Sequence, residues 1–191
     1  MSKIYVVYHS GYGHTARMAQ SVAAGAGAEL IAIDAEGNLS EADWARLEAA
    51  DALIMGTPTY MGSVSWQFKK FADASSKVWF TQKWKNKIAA GFTNSASMNG
   101  DKHSTLHYLI TLSMQHGMVW VGSGMMPASS KESQRNDVNY LGSYAGAIAT
   151  TPSNASVEEM LPGDLDTARL FGQRVAAITR QFVAGRGQSG Q

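Results

Sequence analysis

At 191 residues and 45% hydrophobic content, the chain suits one domain with a sizeable core. A net charge of +1 gives no global field for nucleic acid, and the absence of cysteine removes disulfides, thiol nucleophiles and thiolate metal sites together. Redox chemistry here requires a bound cofactor, and with neither a leader-like N-terminus nor an apolar run of about 18 residues, the expectation is a cytoplasmic protein without a membrane segment.

The apolar run Ile4 to Tyr8 reads as a buried strand that stops at a polar loop, Ser10 to Thr15, carrying Gly11 and Gly13. A helix follows to Ala26, with Met18, Ala19, Val22 and Ala23 at helical spacing and Gly25 and Gly27 closing it. Leu30 to Ile33 is a second strand. Ser40 caps the next helix, with Asp43 at its third position. A third strand, Ala52 to Met55, runs into GTPTYMGS, and a helix begins near Ser65 with Trp66, Phe68 and Phe71 on its apolar side. A fourth strand, Ile88 to Phe92, runs into TNSASMNG and a helix from about Ser104 to His116. Met118 to Val121 is the fifth strand. Gly122 to Gly163 is glycine- and serine-rich with little periodicity, a loop of the kind that covers a site or builds an interface. A last helix spans Asp164 to Val183, so the expectation is a single domain over 1–184 and a disordered tail over 185–191. Strands alternating with helices predict a parallel sheet covered on both faces.

A strand feeding a glycine-bearing loop at a helix N-terminus is a phosphate site, because the first-turn N–H groups have no helical partners and the dipole favours negative charge. Two templates fit it. Gly11, Gly13 and Ala16 satisfy a dinucleotide fingerprint, with Asp34 near the place of a ribose-binding acid. The hydroxyls of Ser10 and Thr15 equally suit a cradle around a terminal phosphate dianion. No lysine follows the glycines, which excludes a nucleotide-triphosphatase loop. The loops after the third and fourth strands add two more walls at strand carboxyl ends. Three such loops suit one planar heterocycle with a single phosphate tail, and flavin mononucleotide (FMN) fits that better than a dinucleotide. His14 reads as a phosphate contact through its backbone, not as a catalyst. Trp66, Trp84, Trp120 and, on sequence alone, Trp79 read as packing residues. His103, His107 and His116 read as a solvated helix face lacking a further metal ligand, and the ten methionines as core filler.

In this order and spacing, SGYGHT, GTPTYMGS, Trp79, TNSAS and QHGMVWVG resemble the WrbA-type quinone reductases of the flavodoxin-like superfamily, from Lys3 to about Phe182. That resemblance implies an α/β fold, a flavodoxin-like three-layer α/β/α sandwich whose five-stranded parallel sheet has the order 2-1-3-4-5. It implies bound FMN, NADH or NADPH as co-substrate, ping-pong two-electron reduction of a quinone, and a dimer or tetramer of the chain with itself. It places Ser10, Gly11, Tyr12, Gly13, His14 and Thr15 at the phosphate, and Pro58, Thr59, Tyr60, Met61 and Gly62 at the ring system. Asn94, Ser95, Ala96, Ser97, Met98 and Asn99 fall at the polar edge of the ring, Tyr12 also near the nicotinamide, and Trp79 where substrate stacks. Flavin N5 does the chemistry, so no catalytic side chain and no metal is expected. Three departures stand out. Ala96 to Asn99 replaces a glycine-rich run, Gln115 takes the place of a cofactor-contacting histidine whose neighbour is His116, and the segment between the second and third strands is short. The alternatives are a single-electron carrier, which a +1 charge fits poorly, and a DNA-binding regulator, for which no helix-turn-helix or basic stripe exists.

Overall fold

In chain order the elements are β1 (Ile4–Tyr8), α1 (His14–Ala26), β2 (Glu29–Ala32), α2 (Glu41–Glu48), β3 (Ala52–Tyr60), β4 (Ser63–Val64), α3 (Trp66–Ala74), α4 (Ser76–Phe80), β5 (Ile88–Ser95), α5 (Lys102–Gln115), β6 (Val119–Trp120), β7 (Ala147–Thr150) and α6 (Pro162–Arg186). They come from a computed structural model that describes residues 2–186. Strands β2, β1, β3, β5 and β6 lie side by side and parallel, the order expected from the sequence. Alternation along the strands creates two cores. Ile4, Val6, Ala52 and Ile54 pack with α1 and α6, whereas Tyr5, Val7, Leu53 and Met55 pack with residues of α2, α3 and α5. Burial on both faces explains why these strands read as unbroken apolar runs. Ser40 caps α2 as expected, its Oγ accepting from the Asp43 N–H at 3.1 Å.

Several boundaries differ from the sequence reading, each for a physical reason. Strands β3 and β5 continue past Met55 and Phe92 into segments that look like loops, pairing as far as Pro58 with Asn94. Pro58 is tolerated in a central strand because of parity. Gly56 directs its carbonyl to His9 on the β1 side, so Pro58, two residues on, turns its missing N–H to the same side, past the last β1 pairing at Tyr8 with Gly56. Chain reversal at Met61 and Gly62, with φ of +48° and +79°, then forms a tight hairpin into β4. The fifth strand is split. β6 pairs with Ile88 and Ala89, β7 pairs with Phe92 to Ser95, and the intervening insertion leaves and rejoins the same sheet edge. Trp66 is 61% exposed, because it begins α3 on the face away from Phe68 and Phe71. The short α4 was not expected. Helix α6 extends through Gly185 and Arg186, two residues assigned by sequence to the tail, and the rest of that tail lies outside the described residues. Trp84 and four methionines, Met18, Met55, Met118 and Met160, are buried, whereas Met61, Met98, Met114 and Met126 are exposed.

His116 also departs from expectation. Instead of lying on a solvated face it is 2% exposed, its Nε2 2.8 Å from Ser75 Oγ and its ring 4.5 Å from that of Trp84. Its Nδ1 has no partner among the described residues, and burial lowers its pKa from 6.5 to about 4. Between those values the unfolded chain takes up a proton that the folded chain refuses. Stability therefore falls as pH drops through that window, by about 2 kcal/mol at pH 5. Burial of His9 acts in the same direction. Urea unfolding should show the wild type losing this stability between pH 7 and 5. His116→Gln should lose correspondingly less.

Candidate cofactor site

Strand order reverses between β1 and β3, which is where an open parallel sheet leaves a crevice at the strand carboxyl ends. The ends of β1, β3, β5 and β7 meet there around a cavity of about 300 Å³, within the size range of small-molecule sites. Tyr12, His14, Thr15, Pro58, Thr59, Tyr60, Asn94, Ser95, Ala96, Thr151 and Ser153 line it. None is a carboxylate, lysine or arginine.

The loop from β1 to α1 is shaped by Ser10, whose Oγ accepts from the N–H groups of Gly13 and Ala16, both at 3.1 Å. Gly13 has φ +91°, a left-handed conformation that glycine adopts without strain. The N–H groups of Gly11, Tyr12, His14 and Thr15 have no protein acceptor among the described residues. Four free donors at a helix N-terminus, with the Thr15 side chain in the lining, match the demands of a phosphate dianion. The imidazole of His14 is engaged elsewhere, its Nε2 3.0 Å from the Ala155 carbonyl, so its backbone is the part that faces this role. Tyr12 meets Tyr60 edge to face, ring centroids 6.2 Å apart. Burial, reinforced by Tyr12, raises the pKa of Tyr60 and keeps its hydroxyl protonated as a donor.

Behind these walls lies a buried hydroxyl network. Thr59 Oγ1 is 2.8 Å from the hydroxyls of both Thr93 and Thr105, which ties β3 to β5 and α5. Thr57 accepts from the Ser65 N–H, and Ser65 Oγ lies 2.8 Å from His9 Nδ1, which fixes the start of α3 against the end of β1. The Thr151 hydroxyl donates to Asn94 Oδ1 at 3.0 Å, so the loop after β7 holds the amide of β5 in place. Side chains locked this way cost little entropy when a ligand arrives.

Of the residues expected at a flavin, the single cavity gathers Tyr12, His14, Thr15, Pro58, Thr59, Tyr60, Asn94, Ser95 and Ala96. Ser10, Gly11 and Gly13 form the loop beside it, and the Tyr60 hydroxyl closes over Gly11. Met61 and Gly62 sit at the hairpin tip, Met61 fully exposed and lining an adjoining cavity of about 620 Å³ that shares Tyr60. Met98 and Asn99 line a larger cavity of about 980 Å³ together with Lys102, while the Ser97 carbonyl accepts from Lys102. Trp79 and Gln115 line a fourth cavity of about 270 Å³, near Ser75 and His116, which shares no lining residue with the first. Thr151 and Ser153 were missed. The signal for them was AIAT followed by TPSN, an apolar run ending in the same threonine–proline pattern as the loop after the third strand. Asp34, the acid of the dinucleotide template, accepts from the N–H groups of Glu36 and Asn38 and closes its own turn.

Residues 13–132 match the NADPH-dependent FMN reductase family. The chain is 52% identical over 184 residues to "Flavodoxin FldP" of Pseudomonas aeruginosa, covering 96% of this chain and 100% of that one. It is 31% identical over 208 residues to an "NAD(P)H dehydrogenase (quinone)" of Geotalea daltonii, covering 96% and 100%. Among solved structures, a flavodoxin, WrbA-like protein from Agrobacterium tumefaciens superposes with a TM-score of 0.80 at 56% identity, over 95% of this chain and 99% of the other.

Proposed function

The chain belongs to the NADPH-dependent FMN reductase family as a WrbA-type flavodoxin-like protein, and from that premise we propose that it is an FMN-dependent NAD(P)H:quinone oxidoreductase working in ping-pong order. The observation that carries this reading is the cavity at the β1–β3 switch. Its free N–H groups suit a phosphate, and Tyr12, Pro58 and Tyr60 in its lining suit a flat ring. When bound, FMN supplies two-electron chemistry from a reduced nicotinamide to a quinone.

The protein's part is to bind and orient. The free N–H groups of Gly11, Tyr12, His14 and Thr15 would hold the phosphate at the positive end of α1. Tyr60 and Pro58 form one wall, Asn94 to Ala96 the other, and Asn94 is kept in register by Thr151. Tyr12, 80% exposed at the rim, offers a stacking face to a flat nicotinamide or quinone. Trp79 and Gln115 lie at a separate cavity within one chain, so the places proposed for them, Trp79 at the stacked substrate and Gln115 at the cofactor, would need a second copy of the chain. The exposed Met61, Trp66, Trp79 and Phe80 supply apolar surface for such assembly.

A second reading, a single-electron carrier, is favoured by the name of the 52%-identical relative. Steady-state oxidation of NADH and NADPH with benzoquinone, with and without added FMN, separates the two. FMN-dependent turnover is expected. FMN bound without turnover supports the carrier, and a protein that takes up no FMN defeats both readings.

A further inference from the structure

Lys102 lines the cavity of about 980 Å³, which shares no lining residue with this site, and lies at the base of the loop that continues the Asn94–Ala96 wall. It is 2% exposed, in the first turn of α5, where the helix dipole opposes a positive charge. Burial lowers its pKa from 10.5 to about 8. Such a placement is unfavourable unless the ammonium is used. Its Nζ donates to three successive carbonyls, Ser97 at 2.6 Å, Met98 at 3.2 Å and Asn99 at 3.5 Å. A trans peptide plane points its N–H opposite to its C=O, and no cis bonds are present among the described residues. Gathering those carbonyls therefore turns the N–H groups of Met98, Asn99 and Gly100 away from Lys102. None of the three has a protein acceptor among the described residues. Successive N–H groups facing one way make a concave donor surface for an electronegative edge.

We propose that Lys102 is a positioning residue for the flavin: by holding the carbonyls of Ser97 to Asn99 it presents the N–H groups of residues 98–100 to the polar edge of the ring. This rests on the flavin reading above. Protonated Lys102 fills the role, and the neutral amine, one donor short, fills it less well. The charged groups around it are Asp164 of α6 and Arg135 of the insertion, paired with each other at 2.7 Å, with His103 of α5 and Lys131, Tyr140 and Tyr144 of the insertion on the shared cavity.

FMN titration of the FMN-free full-length protein by flavin fluorescence tests this. Wild-type affinity should fall about fivefold between pH 7 and 9, since binding favours the protonated amine. Lys102→Met should bind about tenfold more weakly at pH 7 with a flat profile; losing the donor to three carbonyls lowers its thermal midpoint, and the lost pH dependence is the readout that lower stability alone would not give. In the FMN-free protein, backbone amide resonances of residues 98–100 should titrate near pH 8 in wild type and not in Lys102→Met. Binding by Lys102→Met as tight as wild type, or wild-type amides that do not titrate, overturns the proposal alone. Failure of the wild type to bind FMN at any pH overturns the flavin reading and this proposal with it.

Discussion

Gly25→Ala is expected to destabilise the protein by about 3 kcal/mol or to prevent folding, although glycine-to-alanine in a helix ordinarily gains about 1 kcal/mol. The reason is the crossing of α1 and α6. A Cβ at Gly25 would overlap the Arg169 carbonyl oxygen, and a Cβ at Gly172 would overlap the carbonyl oxygen of Val22. The obstacles are main-chain atoms, so no rotamer change relieves the clash. The helices must separate, and with them the core in which Met18, Val22, Phe171 and Val175 pack on the sheet. Overpacking within a core usually costs about 1–3 kcal/mol, and a main-chain obstacle places this site at the top of that range. Gly185, also in α6, has nothing within 4 Å of a built Cβ, so Gly185→Ala should be neutral or mildly stabilising. Urea unfolding of the two variants beside wild type decides the matter. A Gly25→Ala protein as stable as Gly185→Ala would show that the helices do not meet at these glycines.

That contrast shows what the sequence could and could not disclose. Gly27 was legible as a helix terminator, and Gly25 read the same way although it lies inside α1, because composition and spacing report only the local chain. The contact of Gly25 with Arg169, 144 residues away, is a property of the assembled layers. The same division runs through the fold. Strands buried on two faces, such as β1, announce themselves as apolar runs, and Ser40 with Asp43 announces a cap. The end of β3 does not, since glycine and proline at 56 and 58 suggest a break until β5 is seen beside them and β1 is seen to stop. Strand β7 is four residues in a glycine- and serine-rich stretch, and exists because β5 outruns β6 and leaves an unpaired edge. At the site, strand-end loops were readable because the crevice of a parallel sheet is fixed by topology. Lys102 was not. A lysine opening a helix ordinarily reads as a solvated charge, and only the carbonyls folded over it reveal another use.

Gly13→Ala is expected to weaken FMN binding by about a hundredfold, with two separable causes that a second substitution can resolve. One is conformational. At φ +91° an alanine is strained, and relieving the strain rotates the peptide units whose N–H groups border the cavity. The other is steric, since a Cβ would lie 2.7 Å from Val157 Cγ2. That neighbour is the end of a side chain, so Val157→Ala removes the second cause and leaves the first. The double variant Gly13→Ala/Val157→Ala should therefore recover thermal stability more fully than it recovers FMN affinity. Ser10 sharpens the expectation, because its Oγ holds the Gly13 and Ala16 N–H groups and makes the loop a unit that cannot absorb the change at one residue. Fluorescence titration and thermal melts on the two variants and wild type measure both quantities. If Gly13→Ala binds FMN like wild type, the loop from β1 to α1 is not where the phosphate is held. If the double variant regains affinity in full, Val157 and not the backbone conformation sets the shape of the cradle.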